Sequence, residues 1–193
     1  MFGAYLFYDL IADNSEDTGA YGEMIVNSVI SLPAFKNKNC KLYKDVYIQN
    51  DGFVSQIDHI FIMDIGVLVV ETKMFNGVVA GSPSDMYWYA TNYGHRIQFY
   101  NPIKQNAAHV EAVRKLIGDY NIIPLVVFAW SNKPKREMNG VLNFSEFKDY
   151  PLFNQTENPL SSEDIEYICH LLDENNKNKK VLKEKHLKQI KEL

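Results

Sequence analysis

Cysteine is scarce in this sequence: Cys40 and Cys169 are the only two in 193 residues, and they lie far apart. That spacing excludes a disulfide scaffold, a zinc finger and a redox pair, and free thiols in a reducing compartment are expected. No phosphate-cradling glycine loop and no serine-nucleophile elbow occurs. Long apolar runs are missing too. The opening MFGAYLFYDLIA is apolar, but it lacks a basic start, soon meets Asp13, Glu16 and Asp17, and is too short to span a bilayer. No membrane segment is therefore expected, and the cytoplasm is the expected location. Positive charge does not dominate either. Twenty Lys and Arg against 24 Asp and Glu give a net charge of −4, so the chain as a whole does not attract nucleic acid. A local basic groove, or a metal ion in a carboxylate-rich site, remains compatible with that balance.

What the sequence does have is apolar and aromatic residues, at 46% and 13%, enough for one sizeable core. Met24, Ile25, Val29 and Leu32 recur at helical spacing and Pro33 ends the pattern. CKLYKDVYIQ (40–49) reads as a strand, Asn50-Asp51-Gly52 as a turn, and further strands begin near Phe53 and Val67. Residues 78–100 read as further short strands or an extended excursion around Trp88. Asn101-Pro102 opens a helix, PLVVFAW (124–130) is a buried strand, and Ser161 with Asp164 forms a capping box for another helix. This order predicts an α/β, mixed α+β architecture. The expected divisions are a lead segment over 1–18, a main domain over 19–175, and a lysine-rich helix over 176–193 packed on that domain.

QIDHIFIMDIGVLVVETK, from Gln56 to Lys73, has the look of a core hairpin with charge at its open end. A loop over Met63 to Gly66 pairs Ile62 with Val67, so that opposed positions sum to 129. Asp58 then faces Glu71 and Gln56 faces Lys73, all on one side of the sheet. A slip of one residue would scatter them. Opposed carboxylates repel unless a cation or a proton lies between them. Mg²⁺ or Mn²⁺ suits such oxygen donors, and a neighbouring ammonium suits charge building on a phosphate. On spacing alone, a structural ion-pair cluster at a sheet end accounts for these residues equally well.

The Asp58…Glu71-Thr72-Lys73 pattern resembles the PD-(D/E)XK signature of the restriction-endonuclease-like nucleases. More closely, the chain resembles the nuclease-related domain (NERD) family. The residues carrying the resemblance are Gly22-Glu23, Gln56-Ile57-Asp58-His59, Gly66, Val69 to Lys73, Gly77, Trp88, and Asn101-Pro102 with Gln105 and His109, followed by VVFAW. The resemblance implies an α-β-β-β-α-β core with a central mixed sheet and metal-dependent cleavage of phosphodiester bonds, of DNA in the first place. By position it makes Asp58, Glu71, the Thr72 carbonyl and Glu23 metal ligands and Lys73 the catalytic lysine. Gln56 and Gln105 would line the site. His109 shares a helix face with Gln105 and joins it as a substrate-binding candidate, although packing or capping explains it as well. His59 is expected on the opposite sheet face. A non-catalytic module that keeps the fold and binds nucleic acid or protein is the alternative function. Given the acidic balance, an oligomer or a protein partner is the expected source of a basic surface.

Overall fold

The computed structural model describes residues 16–36, 40–75, 77–130, 133–135 and 137–192. The lead segment up to residue 15 and the Asn76 half of one expected turn lie outside the described residues.

Helix α1 (Glu16–Asn27) runs through a 3-10 turn (Ser28–Ser31) into a short helix α2 (Pro33–Lys36). Pro33 thus opens a new helical turn, where its missing N–H costs nothing. Strands β1 (Lys41–Asn50), β2 (Phe53–Met63) and β3 (Gly66–Lys73) follow as an antiparallel meander. Asp51 and Gly52 take positive φ values of 47° and 88°, the backbone that a two-residue hairpin turn requires. The second turn is shorter than expected, two residues (Asp64 and Ile65) rather than four, because Met63 itself pairs with Gly66. The register is unchanged by this: Ile62 pairs with Val67. Gly66 is needed at its position, since φ is 138° and a Cβ would come within 2.6 Å of the Asn121 carbonyl oxygen.

Helix α3 (Pro102–Ile117) carries the chain across to β7 (Ile122–Phe128), which lies parallel to β3. The five-stranded order is β1-β2-β3-β7-β8, with the short β8 spanning Val141–Asn143. Between β3 and α3 the chain builds a separate three-stranded arm from β4 (Val78–Ala80), β5 (Tyr87–Asn92) and β6 (His95–Tyr100). Two four-residue helices, α4 (Phe144–Phe147) and α5 (Tyr150–Phe153), precede α6 (Ser162–Asn176) and α7 (Lys179–Lys191). The result is a mixed α+β fold whose central mixed sheet is flanked by helices, with the α-β-β-β-α-β order interrupted only by the arm.

Strand alternation divides the core. Ile60, Ile62, Val67 and Val69 pack with Ala112, Val113 and Ile117 of α3 and Ile165, Ile168 and Leu172 of α6. Phe61, Met63, Leu68 and Val70 face the other way, against Val26, Val29, Phe35 and Phe147. The arm has its own core: Val79, Trp88 and Phe99 pack on Phe75 and Phe128, at the end of the sheet where β3 and β7 finish.

The sequence reading missed Asn106. It is buried on α3 and donates from Nδ2 to the carbonyls of Val69 (3.0 Å) and Leu125 (2.9 Å), joining the helix to both parallel strands. Asn106→Ala is expected to cost about 3 kcal/mol, because two strand carbonyls lose a buried donor. A urea midpoint measurement checks this against Lys115→Ala. That change breaks only exposed contacts, with Asn50, Asp51 and Glu111, and should cost under about 1 kcal/mol.

Candidate functional site

The β2–β3 ladder ends at the His59–Val70 pair. The next step in that register would set Asp58 opposite Glu71. There the strands are joined by a side chain instead, with Asp58 Oδ2 accepting the Thr72 backbone N–H at 2.7 Å. Glu71 projects toward α3 and is 2% exposed. Lys73, two residues on and therefore on the same face, places Nζ 2.8 Å from Glu71 Oε1. His109 of α3 brings Nε2 to 3.2 Å from Glu71 Oε2. That contact lacks hydrogen-bond geometry, so Oε2 and the imidazole nitrogens remain buried without a hydrogen-bond partner.

The two carboxyl groups experience opposite fields. Burial raises the Asp58 pKa well above the usual carboxylate range, and the charges of Glu71 and Glu23 raise it further; the Thr72 N–H and the Lys73 ammonium only partly oppose this. Burial also acts to raise Glu71, but the Lys73 ammonium and His109 outweigh it and hold that carboxyl below its ordinary value. The pair therefore titrates in separated steps, with Glu71 ionising first. Glu23, half-buried on α1, is close enough for its charge to act on Asp58.

Gln56 is drawn elsewhere. Its Nε2 donates to Asp45 Oδ1 at 3.0 Å. Asp45 is a site-margin residue that the sequence reading did not single out. Its neighbours Lys44 and Val46 pair with His59 and Ile57, which places Asp45 across from Asp58 and extends the row Asp45, Asp58, Glu71 over three strands. The available signal was a lone acid within a β1 strand otherwise rich in aromatic and β-branched residues. Its backbone, at φ 50°, departs from the strand geometry on which period-two reasoning depends. Gln105 is buried one helical turn before His109 on α3. Glu71, Lys73 and His109 are thus in direct contact, Asp58 is tied to Thr72, and Gln56 is turned toward Asp45.

His59 lies on the far face, as alternation requires, with Nδ1 3.2 Å from Thr72 Oγ1. Burial lowers its pKa to about 4. A histidine lowered from about 6.5 contributes stability that is present above that value and is lost as pH falls through the folded-state value. The loss between those limits should be on the order of 3 kcal/mol. His186, buried on α7 with Nδ1 donating to the Val54 carbonyl, is lowered in the same direction by burial. Asp58 acts with the opposite sign, so the measurement is a difference: His59→Gln should flatten the acid limb of a urea-midpoint profile relative to the unsubstituted protein.

The donor set is hard. Among the described residues, no three His, Cys, Asp or Glu side chains stand together as a metal cluster. The protein's contribution would be the Asp58 and Glu71 carboxylates with the Thr72 carbonyl. Two acidic ligands with remaining positions left to water and phosphate suit Mg²⁺ or Mn²⁺. Glu71 Oε2, which makes no hydrogen bond and has only the His109 ring beside it, is an acceptor compatible with such a cation.

The model of the nuclease-related domain family matches residues 18–129, more than half of the chain. That span contains every candidate site residue from Glu23 to His109 and stops before α6 and α7. An uncharacterised protein of Bacillus anthracis is 29% identical over 180 residues, covering 89% of this chain and 83% of that protein. No solved structure matches. No helix among the described residues is long and apolar enough to cross a membrane.

Proposed function

We propose that this chain, which belongs to the nuclease-related domain family, hydrolyses phosphodiester bonds in nucleic acid, DNA in the first instance, with Mg²⁺ or Mn²⁺ as its cofactor. The observation carrying this reading is the carboxyl pair at the end of the β2–β3 ladder: Glu71 is buried against the Lys73 ammonium, and Asp58, whose pKa burial and the Glu71 charge raise, is fixed by the Thr72 N–H. A bound divalent cation would supply charge for the phosphate oxygens and make water more acidic.

The chain's own groups do the rest. Thr72 N–H fixes the Asp58 carboxyl. Glu71 gives fixed negative charge and aligns the Lys73 ammonium. Lys73 orients the attacking water and stabilises charge on the phosphate as the new P–O bond forms and the ester P–O bond breaks. His109 braces Glu71 from α3 as a positioning residue.

The test incubates purified protein with supercoiled DNA, linear duplex, single strand and RNA, each with Mg²⁺, Mn²⁺ or EDTA. Cation-dependent cleavage that is lost in a folded Asp58→Ala variant supports the reading. Absence of cleavage on every substrate would overturn it in favour of a binding module.

A further inference from the structure

Helix α7 lies outside the span matched by the family, and its composition differs from that of the rest of the chain. The segment KKVLKEKHLKQIK carries six lysines and one glutamate, in a protein whose net charge is −4. A helix that needed only to be soluble would be expected to mix signs.

Its docking is specific. Leu182 is buried with Tyr47 and Val54. His186 Nδ1 donates to the Val54 carbonyl at 2.7 Å. Gln189 holds the β1–β2 turn from both sides, accepting from Val54 N at 3.0 Å and donating to the Gly52 carbonyl at 2.8 Å. These contacts fix the rotation of the helix, so its lysines occupy set positions on the surface. At its N-terminal end Lys179 and Lys183 approach Asp45 Oδ2, at 3.2 and 4.0 Å. Asp45 begins the row that continues through Asp58 to Glu71. From there Lys180, Lys183, Lys188 and Lys191 continue along the exposed side. Among the described residues, no carboxylate lies within ion-pair distance of Lys180, Lys185 or Lys191. Thirteen helical residues extend about 20 Å, roughly six base steps of duplex.

We propose that α7 is the phosphate-backbone platform of the protein: it holds the sugar-phosphate chain of a nucleic acid and leads it past Asp45 to Asp58. The purpose of this platform rests on the nuclease reading, but its test does not. A basic helix can also lie on an anionic membrane, but the lysine row of α7 begins at the margin of the candidate site, which favours the nucleic acid.

The experiment uses the full chain in EDTA, with fluorescence anisotropy of a labelled short duplex and the matching single strand across a salt series. The variant combines Lys180→Gln, Lys183→Gln, Lys188→Gln and Lys191→Gln, since glutamine has nearly the helix propensity of lysine. Thermal melts confirm that it folds. Affinity should fall at least about tenfold, and the slope of log K against log salt should shrink by about 0.9 per lysine in contact. The platform is overturned by an unchanged slope in the folded variant, by no binding of the unsubstituted protein, or by capture on phosphatidylserine vesicles without nucleic-acid binding. Cleavage with an unchanged slope would sink the platform and leave the nuclease reading standing. A reduced slope without cleavage on any substrate would do the reverse.

Discussion

Lys73→Ala is expected to destabilise the protein by about 3–5 kcal/mol near neutral pH and to lower any phosphodiesterase turnover by at least about a hundredfold. Both effects have one cause. Glu71 is almost wholly buried, and Lys73 Nζ, 2.8 Å away, is the cation that does most to hold it ionised. Removing one member of a buried pair leaves a charge with neither water nor counter-ion, which is costly even where the intact pair adds little net stability. The deficit should shrink as pH falls and Glu71 takes up a proton, since a neutral carboxyl no longer needs the ammonium. Urea midpoints near neutrality and in mild acid test this: a deficit that does not change with pH would refute the charge explanation. Lys73→Arg separates the two roles. It should recover most of the stability but little of the turnover, because a planar guanidinium does not replace a compact ammonium in orienting water.

Asp58→Asn should move stability and cation binding in opposite directions. Asp58 is raised, so the folded state holds its proton more tightly than the unfolded chain does. Its contribution to stability is complete below the ordinary carboxylate range and is lost as pH rises through the raised value. Asparagine keeps an oxygen for the Thr72 N–H and removes the ionisation. Without divalent cations the variant should therefore melt higher than the unsubstituted protein at neutral pH. On adding Mg²⁺ or Mn²⁺ the ranking should reverse. The unsubstituted protein gains about 2.7 kcal/mol at a hundredfold excess over Kd, and the variant gains almost nothing. Calorimetry in two buffers of different ionisation enthalpy should also detect a proton released on binding, lost with Asp58→Asn. Equal stabilisation of both proteins by the cation would place the metal elsewhere.

Much of the hairpin was legible because its register is arithmetic. The length of the turn was misjudged, yet Met63–Gly66 and Ile62–Val67 belong to the same sum, so the pairs from His59–Val70 to Met63–Gly66 came out in register. The cap at Asn101 was legible as well: its side chain accepts from Ile103 N. What stayed hidden depended on distant chain segments or on irregular backbone. Asn101 also donates to the carbonyls of Ser82, Pro83 and Asp85, which no local pattern reveals. Gln56 was expected to face Lys73 but bonds Asp45, because the ladder ends before that row and Asp45 has a positive φ. His109 could be placed on the face of Gln105, yet only packing of α3 on β3 decides that it meets Glu71. The short β8 and the four-residue helices carry too few residues for any period to be counted.

The grip of Gln189 on the Gly52 turn has a consequence for how the chain is made. The two residues are 137 positions apart, on the order of ten seconds of synthesis at a bacterial or eukaryotic ribosome. Throughout that interval the β1–β2 hairpin exists without its clamp, and β1, an outer strand of the five-stranded sheet, keeps its free edge open to other chains. Asn175 on the Tyr47 carbonyl and Lys179 on the Lys44 carbonyl cover that edge only when α6 and α7 arrive. The nascent hairpin is therefore exposed to aggregation until α6 and α7 have docked, and a chaperone that holds it would be most useful over that interval.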